Sequence, residues 1–402
     1  MKKLLLLAVA AMPFMMSAQD KVPAEVESLT QVWEVTEGLP AAGVARQGTA
    51  FDGKFYIQNR EEGQILVIGA NGIEKTIESA PGSHAICTDA AGNLVTRVDG
   101  VWATKLDFNL DADPAVPNLR IYPADGSEPI DVYLPATMSN GRCDYLGTAS
   151  GDLMDEGYLY IVPVGCDKVI CVPFVEGEMD EYGFAEYPVT GGSVSVSLSP
   201  VANAFFNSDG DEQLLFYNRS IYPMLLSWND KGDGFDAQSI AYTDNARKDN
   251  LYGAYPFSCG GYDLMIAPLK GENQALNYSD GFRIVDMADP STSLIDVEPT
   301  LGDAGKLNNG GVCTDWFVVE PDAEKAWATI YQYAPGNYVR VYDLRLAHDV
   351  TGIETVSNAS KTVSSVKYYN VQGVESNVPF DGVNIVVNTY TDGTRQATKL
   401  IK

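Results

Sequence analysis

The chain has 402 residues, 54 of them acidic and 27 basic, for a formal net charge of −27 at pH 7. That balance argues against nucleic acid, whose phosphates need Lys and Arg for neutralisation, and against docking on an anionic membrane surface. A hydrophobic content of 45% argues against wholesale disorder and supplies core for one large domain with an appendage.

The chain begins with an address. Lys2 and Lys3 precede an apolar run from Leu4 to Met16, and Ser17-Ala18-Gln19 forms a small-residue exit. This is the pattern of a secretory signal peptide over residues 1–19, too short to serve as an anchor, with cleavage after Ala18 or Gln19. No Cys follows the run to take a lipid, and no later stretch is apolar for long enough to span a bilayer. The mature chain is therefore expected to be exported without inserting into a membrane. An oxidising destination allows disulfides among Cys87, Cys143, Cys166, Cys171, Cys259 and Cys313, of which Cys166 and Cys171 are the nearest local pair. Cys87, Cys259 and Cys313 lie in apolar strand contexts that suit small core residues.

Thr30 to Val35 alternates like a strand. In a closed ring of sheets such a strand completes the last sheet and removes an exposed edge. Six short stretches that follow look alike, each an apolar or aromatic strand after an Asp/Gly/Asn turn. They run from Asp52 to Ile57, Ala91 to Thr96, Glu156 to Ile161, Asp211 to Phe216, Gly260 to Ile266 and Ala323 to Ala328. Their spacing averages roughly 50 residues, the period of a propeller blade. Each has a companion strand before it: Val44 to Phe51, His84 to Thr88, Tyr145 to Ala149, Val201 to Phe206, Gly253 to Ser258 and Val312 to Val319. Each has another after it: Gln64 to Gly69, Val101 to Leu106, Lys168 to Phe174, Met224 to Trp228, Phe282 to Met287 and Tyr338 to Leu344. The order predicts an all-β fold, a six-bladed β-propeller over 30–350. Seven blades is the alternative, because the units at Ala91 and Glu324 match least well.

At Thr351-Gly352-Ile353-Glu354 the composition shifts to a Ser/Val/Thr linker over 351–365. Residues 366–402 then read as three strands joined by Gly turns, a small C-terminal β domain. The tail carries Gly352-Ile353-Glu354, the block Tyr368-Tyr369-Asn370-Val371-Gln372-Gly373, the strand Asp381-Gly382-Val383-Asn384-Ile385-Val386 and the basic end Lys399-Leu400-Ile401-Lys402. In these motifs it resembles the type IX secretion sorting domains of exported Bacteroidetes proteins. The chain as a whole is similar to exported six-bladed propeller proteins of gut and oral Bacteroidetes. The resemblance implies export across, or display on, the outer membrane, and it implies a scaffold rather than a reaction.

The residues that carry chemistry are few in kind. With only two histidines, His84 and His348, a Ser-His-Asp or Cys-His apparatus is not expected. His348 stands beside Asp349 in a solvated position, while His84 either faces the central channel or is bonded within its own loop. No GxSxG, P-loop or CxxC is present. For metals, Asp107, Asn109, Asp111 and Asp113 place oxygen ligands at alternate positions, as calcium loops do. Ala112 stands where such a loop expects Gly, and Asn118 where it expects a bidentate Glu. Asn207 to Asp211 and Asn229 to Gly234 are shorter candidates that also read as Asx/Gly turns. No other cofactor is implied.

Loops entering the innermost strands converge on one mouth of a propeller, where ligands sit. Arg46, Gln47, His84, Arg142, Asp144, Asn203, Tyr255, Asn308 and Asn309 belong there. Their amide, guanidinium and aromatic groups suit sugar hydroxyls, and each equally suits loop capping and hydrogen bonds between blades. The leading expectation is a non-enzymatic secreted or cell-surface binding protein for a glycan or protein ligand. The alternatives are a glycoside hydrolase or lyase using paired carboxylates, and a structural envelope protein without a pocket.

Overall fold

Short apolar stretches bounded by Gly and Asx turns fold as strands when both of their faces can be covered. The computed structural model describes residues 23–79, 85–98, 117–134, 143, 145–180, 183–195, 200–217, 222–240, 254–269, 280–298, 300–301, 316–322, 325–347, 363–370, 375–380, 383–390 and 395–401. Every regular element among them is a strand. After β1 (Val26–Val35), the strands β2 (Gly48–Phe51), β3 (Lys54–Asn59), β4 (Gln64–Gly69) and β5 (Gly72–Glu78) form a four-stranded antiparallel meander. The second sheet repeats it with β6 (Ile86–Thr88), β7 (Leu94–Arg97), β8 (Leu119–Tyr122) and β9 (Ile130–Val132). A nine-stranded sheet follows. Its first half holds β10 (Ser150–Gly151), β11 (Glu156–Ile161), β12 (Lys168–Val175), β13 (Glu178–Met179) and β14 (Ala185–Thr190). Its second half holds β15 (Val201–Phe206), β16 (Glu212–Tyr217), β17 (Met224–Trp228) and β18 (Phe235–Ser239). The halves join where β14 and β18 pair in parallel, Val189 opposite Phe235 and Thr190 opposite Asp236.

The fourth sheet is β19 (Tyr255–Cys259), β20 (Tyr262–Leu269), β21 (Gly281–Asp286) and β22 (Ser293–Val297). The closing sheet contains β23 (Trp316–Asp322), β24 (Trp327–Ala334) and β25 (Tyr338–Leu346), with β1 paired antiparallel along the outer edge of β25. Thr30 to Val35 thus completes the last sheet from the opposite end of the unit and covers an otherwise open edge. Innermost strands touch in turn: β2 against β6, β15 against β19, β19 against β23 and β23 back against β2. Backbone bonds from Ala149 to Thr88 (3.1 Å) and from Ala204 to Thr148 (3.3 Å) fill the remaining step. The result is an all-β, propeller-like ring of sheets. Neighbours approach so closely that a side chain on Gly147 would lie 1.6 Å from the Ala202 carbonyl oxygen, so no larger residue fits there.

Cores lie between adjacent sheets, which explains why the middle strands are apolar on both faces. In β12, every residue from Val169 to Phe174 is buried. One cluster, with Cys87, Val95, Leu119, Leu159 and Val172, fills the gap between the second sheet and the first half of the nine-stranded sheet. Another, with Tyr160, Val169, Leu214, Phe216 and Phe235, fills the gap between the two halves. At the closing seam Phe55 packs against Tyr331 and Tyr333, with ring centroids 6.0 and 5.7 Å apart. The same end of the closing sheet carries a polar clasp on Asp280, which is buried. Asp280 accepts bonds from the backbone of Thr300 (2.7 Å) and Leu301 (3.0 Å) and from the Tyr338 hydroxyl (2.8 Å). Arg340 lies 3.6 Å from Asp280, donates to the Thr300 hydroxyl at 2.8 Å, and also holds Glu34 of β1.

Two sequence readings need correction. The strand that pairs with β7 is β8, at Leu119–Tyr122, and not Val101 to Leu106, all of which lies outside the described residues together with the rest of 99–116. Cys166 and Cys171 are not bonded to each other. Cys166 sits in a turn where its amide bonds Pro163 (3.1 Å), whereas Cys171 is fixed within β12 opposite Tyr160 and Ala185. Cys87 and Cys259 are also free and buried, and Cys143 is buried. The sheets of the ring other than the closing one further carry outermost strands, such as β5, β9 and β22, that the apolar pattern does not reveal.

Residues from Met1 to Asp349 form one compact unit and Val350 to Lys402 another. The second contains β26 (Val363–Asn370), β27 (Glu375–Ser376), β28 (Val383–Tyr390) and β29 (Arg395–Ile401) in a sheet ordered β27-β26-β28-β29. β26 begins within the stretch read as linker.

Candidate functional site

Gln47, Asn203 and Tyr255, expected at the mouth, do come together around the ring axis, with Thr148 and Trp316. The segments entering β2, β15 and β19 bring them there. Gln47 reaches across two gaps: its side-chain oxygen accepts from Ile86 (3.3 Å) and Leu146 (3.2 Å), and its amide nitrogen donates to the Leu146 carbonyl. Asn203 accepts from the Thr148 amide (3.1 Å) and donates to the Ala254 carbonyl (3.5 Å). The Tyr255 hydroxyl lies 3.1 Å from that of Thr148. Burial pushes the Tyr255 phenol up to about 12, against a small opposing pull from the Thr148 bond. These three side chains pin neighbouring sheets together through backbone and hydroxyl groups.

Trp316 also packs against Tyr145 and Tyr217, at centroid separations of 5.2 and 6.3 Å. The space left among Gln47, Thr148, Asn203, Tyr255 and Trp316 is about 10 Å³, too little for a solute. Among the described residues, the axis is filled by side chains at this point. Around the same end stand three arginines. Arg46 precedes β2 and is buried, Arg60 follows β3, and Arg97 closes β7 and donates to the Cys143 carbonyl. The Arg60 guanidinium is held below its usual range, first by burial and next by the positive charge of Arg46. In a chain with a net charge of −27, three arginines thus gather at this end, with Glu61 beside Arg60. His84, Arg142, Asp144, Asn308 and Asn309 lie outside the described residues, as do Asp107, Asn109, Asp111 and Asp113 of the calcium loop, Cys313 and His348. Among the described residues no cluster of three His, Cys, Asp or Glu side chains is placed to hold a metal. Asn207 and Asn229 are Asx turns: Asn207 accepts from the amides of Asp209 (3.0 Å) and Asp211 (2.7 Å), and Asn229 from those of Lys231 (3.1 Å) and Asp233 (3.2 Å).

A second concave site, not anticipated from the sequence, lies at the other end of the closing sheet. Its cavity measures about 120 Å³ and is lined by Glu320, Asp322, Trp327, Thr329, Asp343 and Arg345. Strand register explains the grouping. Glu320 stands opposite Thr329 and Thr329 opposite Asp343, while Asp322 stands opposite Trp327 and Trp327 opposite Arg345. Two polar rows therefore cross the same face. The Trp327 indole is 40% exposed, with Arg345 and Lys325 over its ring at 4.3 and 4.7 Å. Glu320 accepts from the Tyr331 hydroxyl (2.5 Å) and the Gly53 amide (3.3 Å). Burial, and then the charge of Glu320, drive the Tyr331 phenol far above its usual range. Part of the signal lay in the sequence: Trp327 and Thr329 alternate with the buried Ala328, and Asp343 and Arg345 with the buried Leu344.

No known protein family matches this chain, and no curated protein does. Solved structures are similar at low identity. A streptogramin B lyase is 11% identical over 93% of this chain and 88% of its own, with a TM-score of 0.42. A catalytically inactive virginiamycin B lyase from Staphylococcus aureus, solved with quinupristin, is 11% identical over 79% of this chain and 99% of its own, also at 0.42. A quinoprotein alcohol dehydrogenase-like protein from Bacteroides thetaiotaomicron is 7% identical over 88% of this chain and 65% of its own, at 0.33. These neighbours are propeller proteins, and at such identities they lend this chain no substrate and no reaction.

Proposed function

We propose that this is an exported, non-enzymatic binding protein, built on a six-bladed propeller, that recognises a glycan or protein ligand at the mouth of the ring. The six blades are the four separate sheets of the first unit and the two halves of the nine-stranded one. The observation that supports the reading is the convergence at one end of the ring of the segments entering the innermost strands, where Gln47, Asn203 and Tyr255 meet and Arg46 precedes β2. The described residues lining the axis include no carboxylate, whereas a glycoside hydrolase or lyase acting there needs a facing pair. The signal peptide and the sorting-like tail supply the route to the surface in this proposal, with calcium at the Asp107 loop as an accessory cation.

The test is a glycan-array screen of the mature chain, with and without calcium. Selective binding, lost on Arg46→Ala or Arg142→Ala while the fold is retained, is the expected result. Silence across a broad array would remove glycans and leave a protein ligand; turnover of any glycan would overturn the non-enzymatic reading.

A further inference from the structure

The groove on the closing sheet is far from the mouth, because β23 crosses from Trp316 at the axis to Asp322 in the groove, about 20 Å at the usual rise of a strand. Its charge is uneven. Asp322 is neutralised by Lys325 at 3.0 Å. Glu320 accepts from a hydroxyl and an amide, and among the described residues it makes no ion pair. Arg345, two residues from Asp343 on the same face, lies over the Trp327 ring, and Asp343 makes no ion pair among the described residues. The register then sets the spacing of these two carboxylates. Glu320 and Asp343 flank Thr329 in one cross-strand row, so their backbones are two strand spacings apart, about 10 Å. Carboxylates reaching inward from that separation leave room for one planar guanidinium or one ammonium between them, with the Thr329 hydroxyl beneath.

Volume and field agree on what fits. A cavity of about 120 Å³ is well below the several hundred Å³ of a drug-sized ligand site and suits a single side-chain head. The exposed indole already attracts two cations of this chain, as an aromatic wall beside carboxylates does.

We propose that this groove is a docking site for one basic side chain, arginine in preference to lysine, presented by a partner protein and held between Glu320 and Asp343 beside Trp327. Arginine is preferred because its fork can bond both carboxylates at once, whereas an ammonium satisfies them only as a point charge. A partner protein is favoured over a drug-sized molecule because the cavity is small and open on a strand face, which suits one side-chain head presented from a surface.

The experiment titrates the mature full-length chain with an acetylated, amidated Gly-Arg-Gly peptide and with its citrulline counterpart, which has the same shape and no charge, by calorimetry at low and at physiological salt. The arginine peptide is expected to saturate one site, with the citrulline peptide at least tenfold weaker. Asp343→Asn should weaken the arginine peptide about tenfold, and Thr329→Arg, which fills the groove with a cation of the chain's own, should abolish binding. Asp343 is exposed and Thr329 only partly buried, so both variants should fold, which unchanged thermal unfolding would verify. Equal binding of the two peptides, or binding indifferent to Asp343→Asn and Thr329→Arg, would overturn the proposal. Spermidine binding that depends on Asp343 while the arginine peptide stays silent would overturn the protein partner in favour of a free polyamine. Because Arg46 and the mouth belong to the other end, failure here leaves the glycan screen at the mouth unaffected.

Discussion

Tyr255 shows how much one side chain of the axis is asked to do. Its ring closes the channel wall and its hydroxyl meets Thr148 of a neighbouring sheet. Since burial raises its phenol from 10 to about 12 in the folded chain, the unfolded chain loses that proton first as pH rises. The stability Tyr255 contributes is therefore complete below pH 10 and disappears between pH 10 and 12, an effect on the order of 2–3 kcal/mol. Tyr160 and Tyr331, also pushed upward by burial and by Glu212 or Glu320, act in the same direction. Urea titrations across that range should show a steep alkaline decline, and Tyr255→Phe should make it shallower while costing about 1 kcal/mol at pH 7. A decline unchanged by the substitution would place the alkaline sensitivity elsewhere. Gln47, Asn203 and Tyr255 were legible as axis residues because each lies at or near the start of an innermost strand. Their role as pins was not, since Gln47 bonds Leu146 and Tyr255 bonds Thr148, partners about a hundred positions away in sequence that only ring closure brings near.

Strands divide into those the sequence announces and those it conceals. β3, β12, β16 and β24 are apolar on both faces because a neighbouring sheet covers each side, and their Asp/Gly turns mark where they begin. The outermost strands have no such cover. β5, reading Gly-Ile-Glu-Lys-Thr-Ile-Glu, is almost wholly exposed or half-buried, so neither alternation nor an apolar run distinguishes it from a loop. β8 was hidden for a different reason, a long excursion between it and β7 that displaced the expected position. β1 was found because Thr30 to Val35 alternates, and its attachment can be tested. Arg340 holds Glu34 at the surface while compensating Asp280 in the interior. Glu34→Ala, which removes a partly exposed partner, should cost less than about 1 kcal/mol. Arg340→Ala leaves the buried Asp280 charge without its cation and should cost about 3 kcal/mol in chemical denaturation. Similar costs for the two would mean that the clasp serves only the outer strand.

Across the whole molecule, the repeat near 50 residues carried the ring into view, while the groove at Trp327 stayed hidden because its residues come from three strands that only register brings together. Net charge belongs to this scale as well. With a formal charge of −27, the folded chain repels itself, and screening should relieve that more than it weakens scattered surface pairs such as Lys54 with Glu74. Calorimetric midpoints should thus rise by a few degrees between about 0.05 and 0.5 M NaCl, where the screening length shrinks from over ~10 Å to a few ångström. A fall would mean that specific ion pairs outweigh the general repulsion. One feature of the ring bears on how it can move. The parallel contact of β14 with β18 sews the outer margins of two adjacent meanders together. A motion that parts those two meanders has to break that backbone contact, so they are expected to tilt together, with the wall bearing Asn203 carried along as a block.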